Sequence, residues 1–450
     1  MDKPRRVVVI GCSGCGALAA MTARKLAPDL EITVIRKGEE QGLLTRCATP
    51  YICCGEVLVD PSYKDDRMFT GNGINLVNVE AVDIDRNSRS VTTADGRVYG
   101  YDRLVLATGG KPSMPPIPGM DLPGVFTLRT SGNAAGILSW INSNRVTDAV
   151  LVGAGAIGIE VAYLVSLRGV RVTLVEMLDR VMAATLDPDM SDLLEPYMRK
   201  QGLNLELGRK ASSIEGGERA EGVILDSGKR LDAGLVIVSS GAIPNLELAI
   251  KAGLERGERG LKVDRFLRTS DPLIYAGGDL VEFEHRVTGR PSLGLLRPNA
   301  VIAGRIIARN ILGQEAEYPP LVNAFCTKCF DKSVAAAGIT ETQAQKLGID
   351  CVTATQASTS KHSMMRERKP YVVKLVFSAD DGRLLGGQIV SDSESAVKSI
   401  DVIALAVRCG LGAEDLATFR AAGQPELSPD PGKEPIALAA GQALQCMREN

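Results

Sequence analysis

The sequence lacks an excess of charge of either sign. Its 52 lysines and arginines nearly balance its 54 aspartates and glutamates, which leaves a formal net charge of −2. A chain without a strong electrostatic field offers no broad surface for nucleic acid or for an anionic membrane. We therefore expect neither nucleic acid nor a membrane among its partners.

The sequence also lacks a long hydrophobic run. No stretch reaches the roughly 18 consecutive apolar residues that a membrane-spanning helix needs. At the N-terminus, MDKPRRVVVIG contains two arginines and a short apolar run, but that run leads directly into a glycine-rich turn and not into a cleavage region. The run is therefore predicted to be a strand, and a cytoplasmic location is expected.

The cysteines do not indicate a disulfide framework. In a cytoplasmic chain, ten cysteines are better explained as thiols, redox groups or metal ligands. Cys326 and Cys329 fall in a predicted strand, where residues at that spacing point to opposite faces, so structural thiols are expected there. The remaining composition, 45% hydrophobic and 24% charged residues, is ordinary for a globular protein of two or three domains.

Glycine-rich segments follow hydrophobic strands in a fixed order along the chain. They are VVVIGCSGCG (residues 7–16), LVLATGG (104–110), AVLVGAGAIG (149–158) and LIYAGGD (273–279). One such segment alone is a weak signal, because many strand-to-helix turns need small residues. The ordered set predicts an enzyme that binds two nucleotides, a flavin and a nicotinamide.

The segment at 149–158 has the clearest spacing. Gly153, Gly155 and Gly158 form a G-x-G-x-x-G pattern between an apolar run and a helix-like stretch. Such glycines permit a tight turn and let backbone N–H groups approach a pyrophosphate at the positive end of a helix. Glu176, at the end of the next strand, would accept hydrogen bonds from an adenosine ribose, which favours NADH. Arg180 nearby leaves NADPH open.

The segment at 7–16 departs from this pattern. Ser13 occupies the middle glycine position, and the next strand ends in Arg36 instead of an acid. The ribose partner therefore stays open: either Glu39 or Glu40 replaces the missing carboxylate, or Arg36 lies along the adenine nucleotide. For both turns, the alternative is a connection that needs small residues and binds nothing.

The segment around Cys47 resembles a known redox motif. Cys47-Ala-Thr-Pro50-Tyr51 matches the pattern C-G-x-P-Y except that alanine replaces the glycine. On this basis the chain resembles the pyridine nucleotide-disulfide oxidoreductases, in particular the single-cysteine branch of coenzyme A-disulfide reductases, NADH oxidases, NADH peroxidases and persulfide reductases. The resemblance extends over nearly the whole chain and includes the segments ATGG, KPSMPPIPG, SSGAIPN, YAGGD and TKCFDKSVAAAGITE.

The resemblance implies an α/β fold with two Rossmann-like dinucleotide-binding domains and a C-terminal α+β dimerisation domain. The FAD-binding domain is expected to be split over residues 1–113 and 244–320, because the last flavin signal follows the second nucleotide fold. The NAD(P)H-binding domain would span 114–243 and the dimerisation domain 321–450. A homodimer is implied, in which the C-terminal domain of one subunit lies over the partner's flavin.

The C-terminal domain has a simple predicted pattern. PYVVKLVFS and RLLGGQIV are predicted to be strands, and SAVKSIDVIALAVRCG is predicted to be a helix. SKHSMMRERKPY is predicted to be a basic loop, with contact to an anionic substrate or a protein partner as the alternative to simple solvation.

The resemblance also implies the binding residues. FAD would be held at its pyrophosphate by the first turn and at its ribityl or phosphate region by Asp279, with Cys47 facing the isoalloxazine ring. NAD(P)H would be held by the second turn, with Glu160 near the nicotinamide. The implied cofactor-binding residues are Gly11, Ser13, Gly16, Arg46, Ala107, Thr108, Gly109, Asp279, Gly153, Gly155, Ile157, Gly158, Glu160, Glu176 and Gly241.

Thiol chemistry at Cys47 is also expected from the residue itself. A thiolate near an oxidised flavin and a helix start would be stabilised, and the thiolate is the form that attacks a disulfide, a polysulfide or a peroxide. The alternative is that Cys47 is a small buried hydrophobic residue.

The cysteines near Cys47 do not reproduce the dithiol of the wider family. Cys47 and Cys53 are spaced C-x5-C, whereas the dithiol members have C-x4-C, so no dithiol is predicted, and Cys54 has no assigned role. Cys12 and Cys15 have the spacing of metal ligands, which leaves an iron–sulfur cluster conceivable. Both lie inside the turn that must hold the FAD phosphates, so we expect no metal.

A conventional acid for a thiol leaving group is missing. Coenzyme A-disulfide reductases bring tyrosines from the partner subunit, and the dithiol enzymes bring a His-Pro pair. This chain has Gln424-Pro425 in the corresponding region and no tyrosine after Tyr371. Its only histidines are His285 and His362, and both are expected to be ordinary structural or surface residues.

The expected activity is FAD-dependent oxidation of NAD(P)H with reduction of a small disulfide, persulfide or polysulfide through Cys47. One alternative is an NADH oxidase or peroxidase, in which Cys47 cycles through a sulfenic acid. The other is an electron-transfer flavoprotein with a ferredoxin-like protein partner, which would suit the missing acid.

Overall fold

The computed structural model describes residues 4–38 and 42–449. Glu39 and Glu40, considered above as ribose partners, lie outside the described residues.

The elements follow one another in three stretches of the chain. The first stretch contains β1 (Arg6–Ile10), α1 (Gly14–Leu26), β2 (Glu31–Ile35), β3 (Leu43–Leu44), α2 (Thr49–Cys53), α3 (Val59–Ser62), β4 (Tyr63–Lys64), α4 (Arg67–Thr70), β5 (Asn75–Val77), β6 (Ala81–Asp85), β7 (Ser90–Thr93), β8 (Val98–Gly100), β9 (Arg103–Leu106) and β10 (Gly110–Pro112). The second contains β11 (Val125–Thr127), α5 (Ser131–Asn144), β12 (Asp148–Val152), α6 (Ala156–Ser166), β13 (Arg171–Glu176), α7 (Pro188–Ser191), α8 (Glu195–Lys200), β14 (Asn204–Leu207), β15 (Ala211–Glu215), β16 (Gly222–Leu225), β17 (Arg230–Asp232), β18 (Leu235–Val238) and β19 (Ala242–Pro244). The third contains α9 (Glu247–Lys251), β20 (Ile274–Ala276), β21 (Glu282–Glu284), β22 (Pro291–Leu293), α10 (Arg297–Ile311), β23 (Phe325–Cys329), β24 (Lys332–Gly338), α11 (Glu341–Leu347), β25 (Cys351–Thr359), β26 (Pro370–Ser378), β27 (Leu384–Ser391), α12 (Ile400–Cys409), α13 (Ala413–Ala417) and α14 (Pro435–Glu449).

The first sheet is parallel and has the strand order β20-β9-β1-β2-β5. Its central strands are apolar along their length because both faces of a parallel sheet are covered. In β9 every residue is buried, and Val8 and Val9 of β1 are almost fully enclosed. The edge strand β20 joins this sheet only after the chain has completed the second one.

The second sheet repeats the same architecture. It is parallel, with the order β11-β18-β12-β13-β14. The chain enters this part after β10 and leaves it along β19, and these two short strands pair with each other in antiparallel fashion. The domain boundaries proposed from the sequence stay predictions.

The third sheet is antiparallel, with the order β23-β24-β27-β26-β25. Helices α12 and α14 form a common core with the inner strands β26 and β27. The fold is therefore α/β with two Rossmann-like sheets and a C-terminal α+β unit, which confirms the predicted fold class.

The predicted elements of the C-terminal unit agree with the structure to within a few residues. The predicted strand PYVVKLVFS is β26, and its first residues Pro370 and Tyr371, which the sequence also placed in the basic loop, pair with Thr359 and Ser358 of β25. The predicted helix begins with a 3-10 turn at Ala396–Ser399 before α12. Cys326 and Cys329 lie in β23, as expected, with Cys326 exposed and Cys329 buried.

Among the helices of the described residues, none is long and apolar enough to cross a membrane.

Candidate active site

The first glycine turn closes tightly between β1 and α1. Gly11 has a positive φ of 101°, and a Cβ there would lie 2.1 Å from the carbonyl oxygen of Ala107. A Cβ on Gly16 would lie 1.9 Å from the carbonyl oxygen of Gly11. Ser13 is the N-cap of α1, yet its side chain makes no capping hydrogen bond. The turn thus leaves a hydroxyl and the N-terminus of α1 available to a pyrophosphate.

Three further segments meet the first turn at the carboxyl edge of the sheet. Thr108 donates through its hydroxyl to the carbonyl oxygen of Asn245, at 3.1 Å, which fixes the loop after β9. Asp279 follows β20 and accepts from Arg129 at 2.7 Å. Arg46 donates to the carbonyl oxygen of Arg129 at 2.9 Å. Ligands of open α/β sheets bind at this edge, so the predicted residues Arg46, Ala107, Thr108, Gly109 and Asp279 lie where a flavin nucleotide would be held.

Arg36 lies beside the first turn but is already engaged. Its guanidinium forms two hydrogen bonds with the carboxylate of Asp66, at 2.8 and 2.6 Å, and a third with Asn78 at 2.7 Å. It also interacts with Cys12, a residue of the turn. The end of β2 thus carries Arg36 paired with Asp66. Through this pair, a carboxylate lies near the end of β2, as Glu176 lies at the end of β13 in the second sheet.

The second glycine turn lies between β12 and α6. Gly153 has a φ of +107°, and a Cβ on Gly158 would lie 2.0 Å from the carbonyl oxygen of Gly153. A Cβ on Gly155 would meet nothing within 4 Å. Ile157 points outward and is 53% exposed, and Gly241 follows the neighbouring strand β18 with a φ of +103°. The turn is closed on its protein side and open above Gly155, which fits a pyrophosphate.

Glu176 is fixed on the second turn itself. Its carboxylate accepts from the backbone N–H of Ala154 at 2.8 Å and from that of Leu178 at 3.0 Å. Arg180, which left NADPH open, donates to Asp179 at 2.8 Å. The carboxylate of Glu176 is therefore anchored at the second turn, and Arg180 already has a carboxylate partner.

Cys47 is exposed, in a 3-10 turn (Arg46–Ala48) directly before α2. By contrast, Cys15, Cys53, Cys54 and Cys329 are buried, and Cys12 is half-buried. Burial raises the pKa of Cys12, Cys15 and Cys329 to about 12 and raises the pKa of Cys53 and Cys54 as well. These thiols stay protonated and poorly nucleophilic at neutral pH.

The enclosed cysteines make local contacts instead of forming a cluster. The thiol of Cys53 donates to the carbonyl oxygen of Pro50 at 2.9 Å, and that of Cys54 donates to Tyr51 at 3.2 Å. All cysteines are free. Within residues 4–38 and 42–449, no three His, Cys, Asp or Glu side chains are grouped so that they could hold a metal ion. The described residues therefore include no set of ligands for the iron–sulfur cluster considered above.

Helix α2 connects Cys47 to the second nucleotide turn. It packs against α6, and the hydroxyl of Tyr51 interacts with the carboxylate of Glu160 and the hydroxyl of Tyr163 on that helix. Burial raises the pKa of Glu160, and the hydrogen bond to Tyr51 partly offsets this effect. Burial and the neighbouring Glu160 also raise the pKa of Tyr51. Tyr51 therefore links the segment that contains Cys47 to Glu160, the residue predicted to lie near the nicotinamide.

His362 has a more specific environment than the sequence suggested. Its backbone N–H donates to the carbonyl oxygen of Pro425 at 2.9 Å. Its imidazole lies 3.3 Å from the carboxylate of Asp430. His362 thus lies beside Gln424-Pro425. His285 is buried.

Several contact residues of the site were not found from the sequence. Tyr51 was recognised only as part of the redox motif, although its position about one helical turn after Cys47 indicates that it lies near the thiol. Asp66 and Arg129 have no local signal at all, because each acts through a partner from a distant part of the chain.

Two glycine turns on parallel sheets, connected by a helix that follows an exposed cysteine, are the arrangement of an oxidoreductase fold with two Rossmann-like units. Residues 5–300 match the family model described as pyridine nucleotide-disulphide oxidoreductase, and residues 325–431 match the dimerisation domain of that family. The chain belongs to the pyridine nucleotide-disulphide oxidoreductases. It is an FAD-dependent enzyme that uses a pyridine nucleotide.

Similar proteins cover the full length of the chain. The NADH oxidase of Methanocaldococcus jannaschii is 35% identical over 98% of this chain and 99% of its own. The CoA-dependent NAD(P)H sulfur oxidoreductase of Pyrococcus furiosus is 34% identical over 95% of this chain and 97% of its own. The solved NAD-dependent persulfide reductase from A. fulgidus has a TM-score of 0.94 at 33% identity, over 99% of this chain and 84% of its own.

Proposed function

We propose that the chain reduces a small disulfide, persulfide or polysulfide with electrons from NADH, and that Cys47 is the nucleophile. The observation that carries the proposal is the exposure of Cys47 in the turn directly before α2, whereas burial raises the pKa of Cys12 and Cys53 and keeps their thiols protonated. The names of the sulfur oxidoreductase and persulfide reductase relatives support a sulfur acceptor. The residues fit both nucleotides, because each turn has glycines that a Cβ would fill and an open helix start.

The chain's own groups then perform the sulfur chemistry. The Cys47 thiolate attacks one sulfur of the acceptor R–S–S–R′, forming a Cys47–S–S–R bond while the acceptor's S–S bond breaks. The leaving R′S⁻ takes up a proton. FAD held by the first glycine turn would supply the two electrons for the next step, which originate from the hydride of NADH. Those electrons cleave Cys47–S–S–R, which restores the Cys47 thiolate and releases RS⁻.

The acceptor can be tested directly by following NADH oxidation by the FAD-loaded enzyme in two parallel assays, one with a sulfur acceptor under anaerobic conditions and one with oxygen as the only acceptor. We expect kcat/KM with polysulfide or a small disulfide to exceed that with oxygen at least about tenfold. Faster turnover with oxygen alone would instead support an NADH oxidase, with the exposed Cys47 cycling through a sulfenic acid. The product distinguishes the two, since one reaction yields thiol or sulfide and the other yields peroxide or water.

The coenzyme preference follows from Glu176. We expect NADH to be used at least about tenfold better than NADPH in kcat/KM, because the carboxylate repels a 2′-phosphate. Glu176→Gln keeps the shape and removes the charge, so the preference should shrink. Glu218→Gln, on an exposed loop, is the matched control and should leave it unchanged. An unaltered preference in the Glu176 variant would contradict this assignment.

We further propose that His362 supplies the proton that R′S⁻ needs. In the homodimer that the dimerisation domain indicates, the C-terminal part of one subunit would lie over the partner's flavin. The pair of His362 with Asp430 would then face the partner subunit's Cys47. His362→Gln should lower kcat with a disulfide about 10²-fold, a typical loss for a general acid.

The pH profile separates proton transfer from a structural role. With His362→Gln, the limb of the kcat profile that reports the acid should disappear, and leaving groups of low pKa should be least affected. Lys361→Gln changes a charge in the same loop and should keep the limb. If His362→Gln kept the wild-type pH profile of kcat, His362 would not be the acid of the reaction.

A further inference from the structure

A cavity of about 410 Å³ lies apart from both nucleotide turns. Its walls come from the segment after β13 that includes Thr185, the loop between β21 and β22 with the start of β22, and the end of β24 with α11. Arg259 between α9 and β20, the start of β23 and Gly387 of β27 complete them. No residue of either glycine turn, of the Cys47 segment or of the Tyr51–Glu160 contact lines it. The cavity therefore has no role in the proposed reaction.

The charge of this cavity has one sign. Arg259, Arg290 and Lys346 line it, and no aspartate or glutamate does. None of the three cations forms an ion pair with a carboxylate of the described residues. Three such cations around one cavity, with no carboxylate among the described lining residues, create a positive potential inside it. Such a potential favours an anionic ligand.

A buried histidine completes the polar wall. His285 lines the cavity and is only 8% exposed. Its Nδ1 accepts from the backbone N–H of Val287 at 3.3 Å, which leaves the proton on Nε2. Within the described chain, no hydrogen-bond partner of Nε2 is found. Burial lowers the pKa of His285, so the neutral ring offers this N–H at neutral pH.

We propose that this cavity binds a small phosphate ester, with the phosphate held by Arg290, Lys346 and His285. Guanidinium and ammonium groups are the usual partners of phosphate oxygens. Hydroxyl and amide side chains, including Thr288, Ser292 and Asn323, would meet the hydroxyl groups of the organic part. The volume lies within the roughly 300–1,000 Å³ that small-molecule sites occupy.

The test uses the FAD-loaded enzyme saturated with NAD⁺ and isothermal titration calorimetry at constant ionic strength. Ribose 5-phosphate is the probe, and ribose and inorganic phosphate are the comparisons. We expect ribose 5-phosphate to bind at least about tenfold more tightly than either. Arg290→Gln and Lys346→Gln should each weaken that binding about tenfold or more.

Control variants distinguish the loss of a cavity cation from the loss of any other surface charge. Lys200→Gln, at the end of α8, removes a comparable exposed helical charge and should leave binding unchanged. Turnover with NADH and a disulfide should be unchanged in all variants. Should Arg290→Gln fail to fold, Lys346→Gln alone decides, because Lys346 is exposed on α11. Absence of binding, equal binding of inorganic phosphate, displacement by NAD⁺ or full binding by the Lys346 variant would each overturn the proposal.

Discussion

Replacement of Cys47 by serine is expected to abolish turnover with disulfides and polysulfides while reduction of the bound flavin by NADH continues. A serine hydroxyl is not ionised at neutral pH and cannot form a mixed disulfide, so kcat should fall at least about 10³-fold. The nicotinamide turn is untouched by this change. Steady-state assays with the sulfur acceptor and stopped-flow reduction by NADH measure the two effects separately.

Cys409→Ser is the matched control for this substitution. Cys409 is also exposed, but it lies at the end of α12, outside the site, and its replacement should leave both rates unchanged. If Cys47→Ser retained full turnover, electrons would leave the flavin by another route. Transfer to a ferredoxin-like protein carrier would then explain the chain better than thiol chemistry.

Replacement of Gly155 by alanine is expected to raise the KM for NADH about 10- to 100-fold without destabilising the enzyme. Gly155 has an ordinary φ of −77°, and a Cβ there meets no protein atom within 4 Å. Only the pyrophosphate that approaches the backbone would meet the added methyl group. The melting temperature and the FAD content should stay at their wild-type values.

Two other glycines make the Gly155 result specific. Gly441→Ala places a methyl group in α14 with nothing within 4 Å, so it should leave the KM for NADH unchanged and raise stability slightly, by about 0.5–1 kcal/mol. Gly158→Ala should destabilise the protein, because its Cβ would lie 2.0 Å from the carbonyl oxygen of Gly153. A wild-type KM for NADH in the Gly155 variant would mean that this turn is only a connection between strand and helix.

The sheets and turns could be predicted because their signals are local. Parallel strands buried on both faces are apolar along their length, and each is followed by glycines that a tight turn requires. Val7–Ile10 and Ala149–Val152 fall within β1 and β12 for this reason. The sequence assigned Pro370 to both a loop and a strand; the structure places it in β26 through its pairing with Thr359, a contact that depends on the register of two strands.

The partners within the site could not be predicted because they come from distant parts of the chain. Arg129 reaches Asp279, and Arg36 reaches Asp66, through hydrogen bonds that no spacing in the sequence indicates. The contact of His362 with Pro425 likewise depends on how two C-terminal loops fold together. Sequence patterns located the turns, but the identity of each polar pair depends on tertiary packing.

An anaerobic reductive titration tests the central claim, that Cys47 exchanges electrons with the flavin. The FAD-loaded enzyme is first treated with a small symmetric disulfide, and excess reagent is removed. We predict that the enzyme then takes up four electrons per FAD, two for the mixed disulfide and two for the flavin, and that Cys47→Ser takes up two. A long-wavelength charge-transfer band should mark the Cys47 thiolate after the first two electrons. Uptake of only two electrons by the wild-type enzyme, without that band, would contradict the account.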